Sequence, residues 1–166
     1  MKRVFPYTLM SLLVAGATAC HQVDSPPRAG FFVQATRDAA PWLASGTCTH
    51  SRAQHQFDLV GQSGDAAKAE VLSLSFVLPA APQRAPVQAL PAAWRVSVGY
   101  DALIDSYATA DGEGLPRVEI TRLDTVNKVV EGRFEATLAR EKQWTAKTET
   151  MNLDKGTFRV HYTEVP

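Results

Sequence analysis

Cysteine is almost missing from this sequence: Cys20 and Cys48 are the only two in 166 residues. Two thiols can build neither a disulfide framework nor a zinc-finger array. An excess of one charge is missing as well, because 17 Lys+Arg stand against 17 Asp+Glu. No global basic field exists to hold a phosphate backbone, so nucleic acid is not an expected partner. After the first twenty residues no apolar run approaches eighteen, so no later segment is expected to span a membrane as a helix. The nucleophile elbow Gly-x-Ser-x-Gly is absent, since Gly61-Gln62-Ser63-Gly64 continues with Asp65. There is no phosphate-cradling Gly loop and no dinucleotide fingerprint, and no cofactor is expected. What is present is 45% apolar and 20% charged, a globular composition whose length suits one domain.

The first twenty residues carry the strongest local signal. Lys2 and Arg3 form a short positive region, Val4 to Ala17 is mainly apolar, and Ala17-Thr18-Ala19 precedes Cys20. Charge, a short apolar stretch and small residues at a cleavage point are the order of a secretory signal peptide. About fourteen apolar positions, interrupted by Pro6, are too few to cross a hydrocarbon core of about 30 Å as a stable helix. Residues 1–19 are therefore expected to be a signal peptide.

A Cys directly behind small residues resembles the lipobox of bacterial lipoproteins, with Ala17 where Leu is typical. The resemblance implies lipidation of Cys20 and a membrane anchor made by several acyl chains, which bind firmly where one chain is marginal. Ala17-Thr18-Ala19 also fits ordinary signal peptidase, and both routes cut between Ala19 and Cys20. By the same resemblance, His21 in place of Asp favours the outer membrane. Cleavage takes away Lys2 and Arg3 and no acid, so the remaining 147 residues carry 15 basic and 17 acidic side chains. Residues 20–30, polar and containing Pro26-Pro27, read as a lipidated tether to a domain over 31–166.

In that domain the dominant period is two. Phe57 and Leu59 share a face with His55. Leu72, Leu74, Phe76 and Leu78 alternate with Val71, Ser73, Ser75 and Val77. Trp94, Val96, Val98 and Tyr100 form another set, as do Val118 with Ile120, and Phe158 with Val160 and Tyr162. Such alternation puts one face on a core and the other in water, as in antiparallel sheets. Turns are expected at Gly61–Asp65, Asp111–Gly114, Asp124–Lys128 and Asp154–Gly156. Residues 129–140 have helical propensity but alternate strictly through Gly132, Phe134, Ala136 and Leu138, which predicts a strand. Pro79–Pro91, with four Pro, is expected to be a long loop. Arg37–Leu43 is left open as a single helical turn. The fold class expected is all-β: a single antiparallel β-sandwich, with a closed, lipocalin-like β-barrel as the alternative.

The cadence Val118-Glu119-Ile120-Thr121-Arg122-Leu123-Asp124, then Val130-Glu131-Gly132-Arg133-Phe134, then Gly156-Thr157-Phe158 resembles small β-rich lipoproteins of unknown function found in the Bacteroidota. Trp42 near the start of the domain fits the same pattern, while Arg37-Asp38-Ala39-Ala40-Pro41 departs from that family's first turn. The resemblance implies an antiparallel β domain at the cell envelope and carries over no catalytic residue.

Cys48, His50 and His55 are the one close Cys/His cluster. If residues 51–54 form a hairpin loop, His50 and His55 face each other with Cys48 on the same face, a donor set that suits zinc or copper. The competing reading is a polar hairpin tip beside a buried free Cys. Cys48 could pair with Cys20 only if Cys20 carries no lipid. Asp111-Gly112-Glu113-Gly114 lacks the twelve-residue calcium loop and reads as a solvated turn. Asp101 and Asp105 are a weak carboxylate pair for glycoside chemistry. Trp42, Trp94, Tyr100, Tyr107 and Trp144 could stack on a ligand; Trp94 and Tyr100 sit on the core phase of their strand, and Trp144 among charges is the better exposed candidate. The expectation is a non-enzymatic envelope lipoprotein that binds or scaffolds, its ligand or protein partner unassigned. The alternatives are a barrel carrier of a small apolar ligand and a metal-binding or hydrolytic site on the Cys48–His55 hairpin.

Overall fold

Ten strands account for every regular element in a computed structural model that describes residues 30–65, 67–78, 86–99, 102–110 and 114–166. They are β1 (Phe32–Arg37), β2 (Ala40–Ser51), β3 (Gln56–Gly64), β4 (Ala69–Val77), β5 (Pro86–Ala89), β6 (Ala93–Val98), β7 (Ala102–Ala108), β8 (Arg117–Asp124), β9 (Val129–Arg140) and β10 (Thr150–Val165). The all-β reading holds. Among the described residues no helix is long and apolar enough to cross a membrane. The expected signal peptide, Cys20 with most of the expected tether, Tyr100, Asp101 and Asp111–Glu113 lie outside the described residues.

The strands form one sheet whose pairing runs in a ring. β3 lies between β2 and β4. The far edge of β4 is shared, by β6 along Ala69–Ser73 and by β5 at Phe76 and Val77. β6 leads through β7, and β5 through β8, to β9. β9 pairs with β10 over most of its length. β10 then meets β1 along its first half and β2 along Tyr162–Val165, and β1 pairs back to β2. The β10–β2 pairing is parallel, the one exception among the described residues to an otherwise antiparallel ladder. Edges that would be open in a flat sheet are thereby paired, which removes the usual template for aggregation.

The interior is filled by the residues the period of two selects. Phe57, Leu59, Leu72, Leu74, Phe76, Trp94, Val118, Phe134, Leu138, Phe158, Val160 and Tyr162 are all buried. Rings meet rings: Phe57 lies 5.5 Å from Phe76, Phe76 lies 6.0 Å from Phe158, and Trp42 lies 4.7 Å from Trp94. Gly132 and Gly156 explain the two Gly-x-Phe repeats. A Cβ on Gly132 would come within 2.5 Å of the Phe158 ring, and one on Gly156 within 2.7 Å of the Phe134 ring. Gly132 pairs with Phe158 across the ladder, and Gly156 with Phe134. Each Phe therefore covers the glycine of the neighbouring strand, rather than filling space beside the glycine of its own.

Four local readings change. β1 and β2 join through Asp38-Ala39, both at positive φ (46° and 69°), a two-residue hairpin turn where a helical turn was considered. Asp154–Lys155 is a bulge inside the sixteen-residue β10, with Lys155 at φ 51°, instead of a turn between strands. β3 runs on through Gly61 to Gly64, so the expected turn begins later, at Asp65. β5 lies within the Pro-rich stretch expected to be loop. It is possible there because Pro86 is the first residue of a strand only four residues long.

Candidate functional site

Two ends of the interior and one outer face hold the polar groups. At one end the inner face of β2 carries Cys48 and His50. Cys48 is buried, and burial, reinforced by the nearby Asp58 charge, pushes its thiol up to about 12. It behaves as a small apolar core residue, not as a thiolate nucleophile or ligand. His50 stacks on Phe57 at 4.2 Å and meets the edge of Tyr162 at 5.7 Å. Burial holds its imidazole below the ordinary value, against the pull of the Glu164 carboxylate. Its Nδ1 is buried with no hydrogen-bond partner among the described residues.

The register places His50 opposite Phe57, not opposite His55. His55 sits in the connecting turn at φ 53° and is exposed. The turn uses residues 52–55, one position later than the expected hairpin, because Ser51 still pairs with Gln56. The facing-histidine geometry is therefore absent. Among the described residues no three His, Cys, Asp or Glu side chains group closely enough to hold a metal ion. Lys128, whose Nζ donates to Glu164 at 2.7 Å and lies 5.7 Å from the Tyr162 ring, and Arg52, which also pairs with Glu164, close this end.

At the other end Arg37 donates to Glu70 at 2.7 Å and holds its guanidinium 5.1 Å from the centroid of Trp94. Trp42 donates its indole N–H to Ser63 Oγ at 2.8 Å. Both Trp residues are core, and Tyr107, partly buried, packs against it. Trp144 is half-buried and donates its indole N–H to Ser106 Oγ at 2.7 Å. Ser106 is buried and hydrogen-bonds Glu141 in turn. Asp105 accepts from Arg140 at 2.8 Å, so its carboxylate is committed to an ion pair. These are fastenings of the 141–149 segment, and among the described residues the partners of Ser106 Oγ are Glu141, Gln143 and Trp144, with no His to activate it.

The outer face of β8, β9 and β10 holds an open groove of about 600 Å³ where β10 bulges. Arg117, Glu119, Arg133, Glu135, Lys155 and Thr157 line it. Alternation explains the set: the buried partners Val118, Phe134 and Phe158 point inward, so their neighbours point out. The register sets Arg117 beside Glu135, and Glu119 beside Arg133, in a charge checkerboard. Among the described residues neither Arg117, Arg133 nor Lys155 has an ion pair within 4 Å, whereas Arg122 and Arg159 next to them both reach Glu131. None of these residues stands out in the sequence as a site. The outward phase was visible as charge alternating with apolar residues, but the bulge that brings Lys155 to Arg133 was not.

Comparison with known proteins returns no matching family model, no matching curated protein and no matching solved structure.

Proposed function

We propose that the chain is a cell-envelope lipoprotein, anchored through Cys20 to the outer membrane, whose β domain is a non-enzymatic binding module. Its partner meets the β8–β9–β10 groove with carboxylate or phosphate groups. The observation that carries the groove reading is the set of three cations, Arg117, Arg133 and Lys155, free of ion pairs among the described residues and lining one concavity. Guanidinium groups make two-pronged hydrogen bonds to such anions, and Glu119 and Glu135 select against a partner of purely negative surface. The anchor rests on the Lys2-Arg3, apolar and Ala17-Thr18-Ala19-Cys20 order of the sequence. Aromatic rings stacked through the interior speak for a binder working on its outer surface over a carrier of an enclosed apolar ligand.

Cross-linking in the native envelope tests the reading. A defined adduct is expected with the native chain and is expected to disappear when Arg133→Glu and Lys155→Glu are combined, with folding unchanged by circular dichroism. An adduct indifferent to both changes sinks the groove. Turnover on ester, glycan or peptide substrates that a single substitution abolishes sinks the non-enzymatic reading.

A further inference from the structure

The surface next to the groove, across β10, is of another kind. Outward positions along β1, β2 and β3 carry one charge, Asp58, and its carboxylate is occupied by Gln56 and Ser75, each at 2.6 Å. The rest are Ser, Thr, Gln, Pro, Val, Leu and Phe. Phe31 and Leu43 are each half-exposed, at 51%, and both line a second open groove of about 420 Å³. An apolar pair rimmed by uncharged polar residues is the chemistry of a surface that meets another phase. This neutral face adjoins the charged groove through β10, where Gln34 of β1 donates to Thr157 of the groove at 2.9 Å and Lys155 lines a further groove with Leu43; β8, with Arg117, is the part of the groove farthest from it around the ring.

The place where the chain enters the domain indicates what that phase is. Gly30 stands at the start of β1, in the wall where β10 and β2 come together, and it lines the same groove as Phe31 and Leu43. Cys20 is ten residues earlier, at most about 35 Å of extended chain. A lipid on Cys20 would hold this face within reach of the bilayer, and such tethering raises the local concentration of even a weak contact to the millimolar range.

We propose that the domain lies against the lipid surface through the outer face of β1–β3, with Phe31 and Leu43 entering the interface. The β8 side of the β8–β10 groove then lies farthest from the membrane. This rests on the lipid-anchor reading of Cys20. Phenyl and isobutyl groups gain from leaving water, and Asp58 is the one outward charge on β1–β3 themselves. Lys155, which lines a groove with Leu43, and Arg159, which pairs with Phe32, flank the face, so the contact suits zwitterionic lipid and gains from anionic lipid.

The test uses the full lipidated chain, processed by its host, in phosphatidylcholine vesicles containing brominated lipid. A fluorescent amino acid replaces Leu43 in one preparation and Arg117 in another. Quenching is expected at position 43 and not at 117. With the fluorophore moved to position 45, Phe31→Ser combined with Leu43→Ser should abolish the quenching. Equal quenching at 43 and 117 on vesicle-bound protein overturns this inference alone. A chain that never associates with vesicles overturns the anchor and the inference together. Protection of position 43 in solution, with sedimentation as a dimer, shows a second copy on this face and likewise overturns it.

Discussion

Ala39 sits at φ 69°, where a Cβ crowds the following carbonyl, and Asp38 beside it sits at 46°. Asp38 is compensated. Its N–H donates to the Asn152 carbonyl at 3.0 Å, and its carboxylate accepts from the Asn152 N–H at 2.9 Å. Among the described residues nothing compensates Ala39. Ala39→Gly should therefore stabilise the domain by about 0.5–1 kcal/mol, a net figure that already subtracts what glycine gains in unfolded freedom. Urea denaturation checks this, and a lower midpoint would contradict it. Glu164 is a second residue with a definite consequence. Hydrogen bonds from Lys128 and Arg52 lower its pKa to about 2. A depressed carboxyl contributes stability that is present above its ordinary value and is lost as pH falls toward 2. Glu164→Gln should flatten that part of the acid-denaturation profile between pH 4.5 and 2, and a profile of unchanged shape would remove Glu164 from the account.

Elements were legible where one face is buried. Val129–Arg140 follows a strict period of two, and β9 occupies those bounds in spite of the helical propensity of its residues. Burial of Phe134, Ala136 and Leu138 on the inner face outweighs a few tenths of a kcal/mol per residue of helical preference. β5 was hidden because only its last residues pair with Phe76 and Val77, too short a run for alternation to register. The β1–β2 turn was hidden because Asp-Ala is not the Asn-Gly or Asp-Gly that positive φ ordinarily demands. For the site, Cys48 and His50 were found but their register was not, since a shift of one turn residue replaces His55 with Phe57 opposite His50. The 141–149 segment has no strand of its own and hangs on Arg140, whose guanidinium donates to Asp105 and Glu149, each at 2.8 Å. Those two bonds hold the Arg140 pKa above its already high value. Arg140→Ala should free the segment while the ring stays folded. Hydrogen exchange would then quicken in 141–149 and stay slow in β3 and β4, and unaltered exchange throughout would count against that role.

For the molecule as a whole, the division of its surface follows from a single arrangement: the inner faces of all strands are spent on one core, so outer faces alone distinguish one wall from another. The charged wall of β8–β10 and the neutral wall of β1–β3 are built from the same period of two and differ only in what occupies the outward phase. Composition averages the two away, which is why a balanced 17 against 17 gave no hint of sidedness.

β10 touches both ends of the domain's history. It pairs with β1 and β2, made first, and with β9, made just before it. Until it arrives the ring is a curved sheet with two bare margins, unable to lock. A polypeptide growing from its amino end is thus expected to stay pliable through nearly its whole synthesis, a condition that would suit the export proposed for it, through a narrow pore that folded bulk would jam. Arrested chains ending at residue 149 should be digested readily by protease, while those carrying the strand clear of the ribosome should resist; early resistance would show that closure does not wait for the final strand.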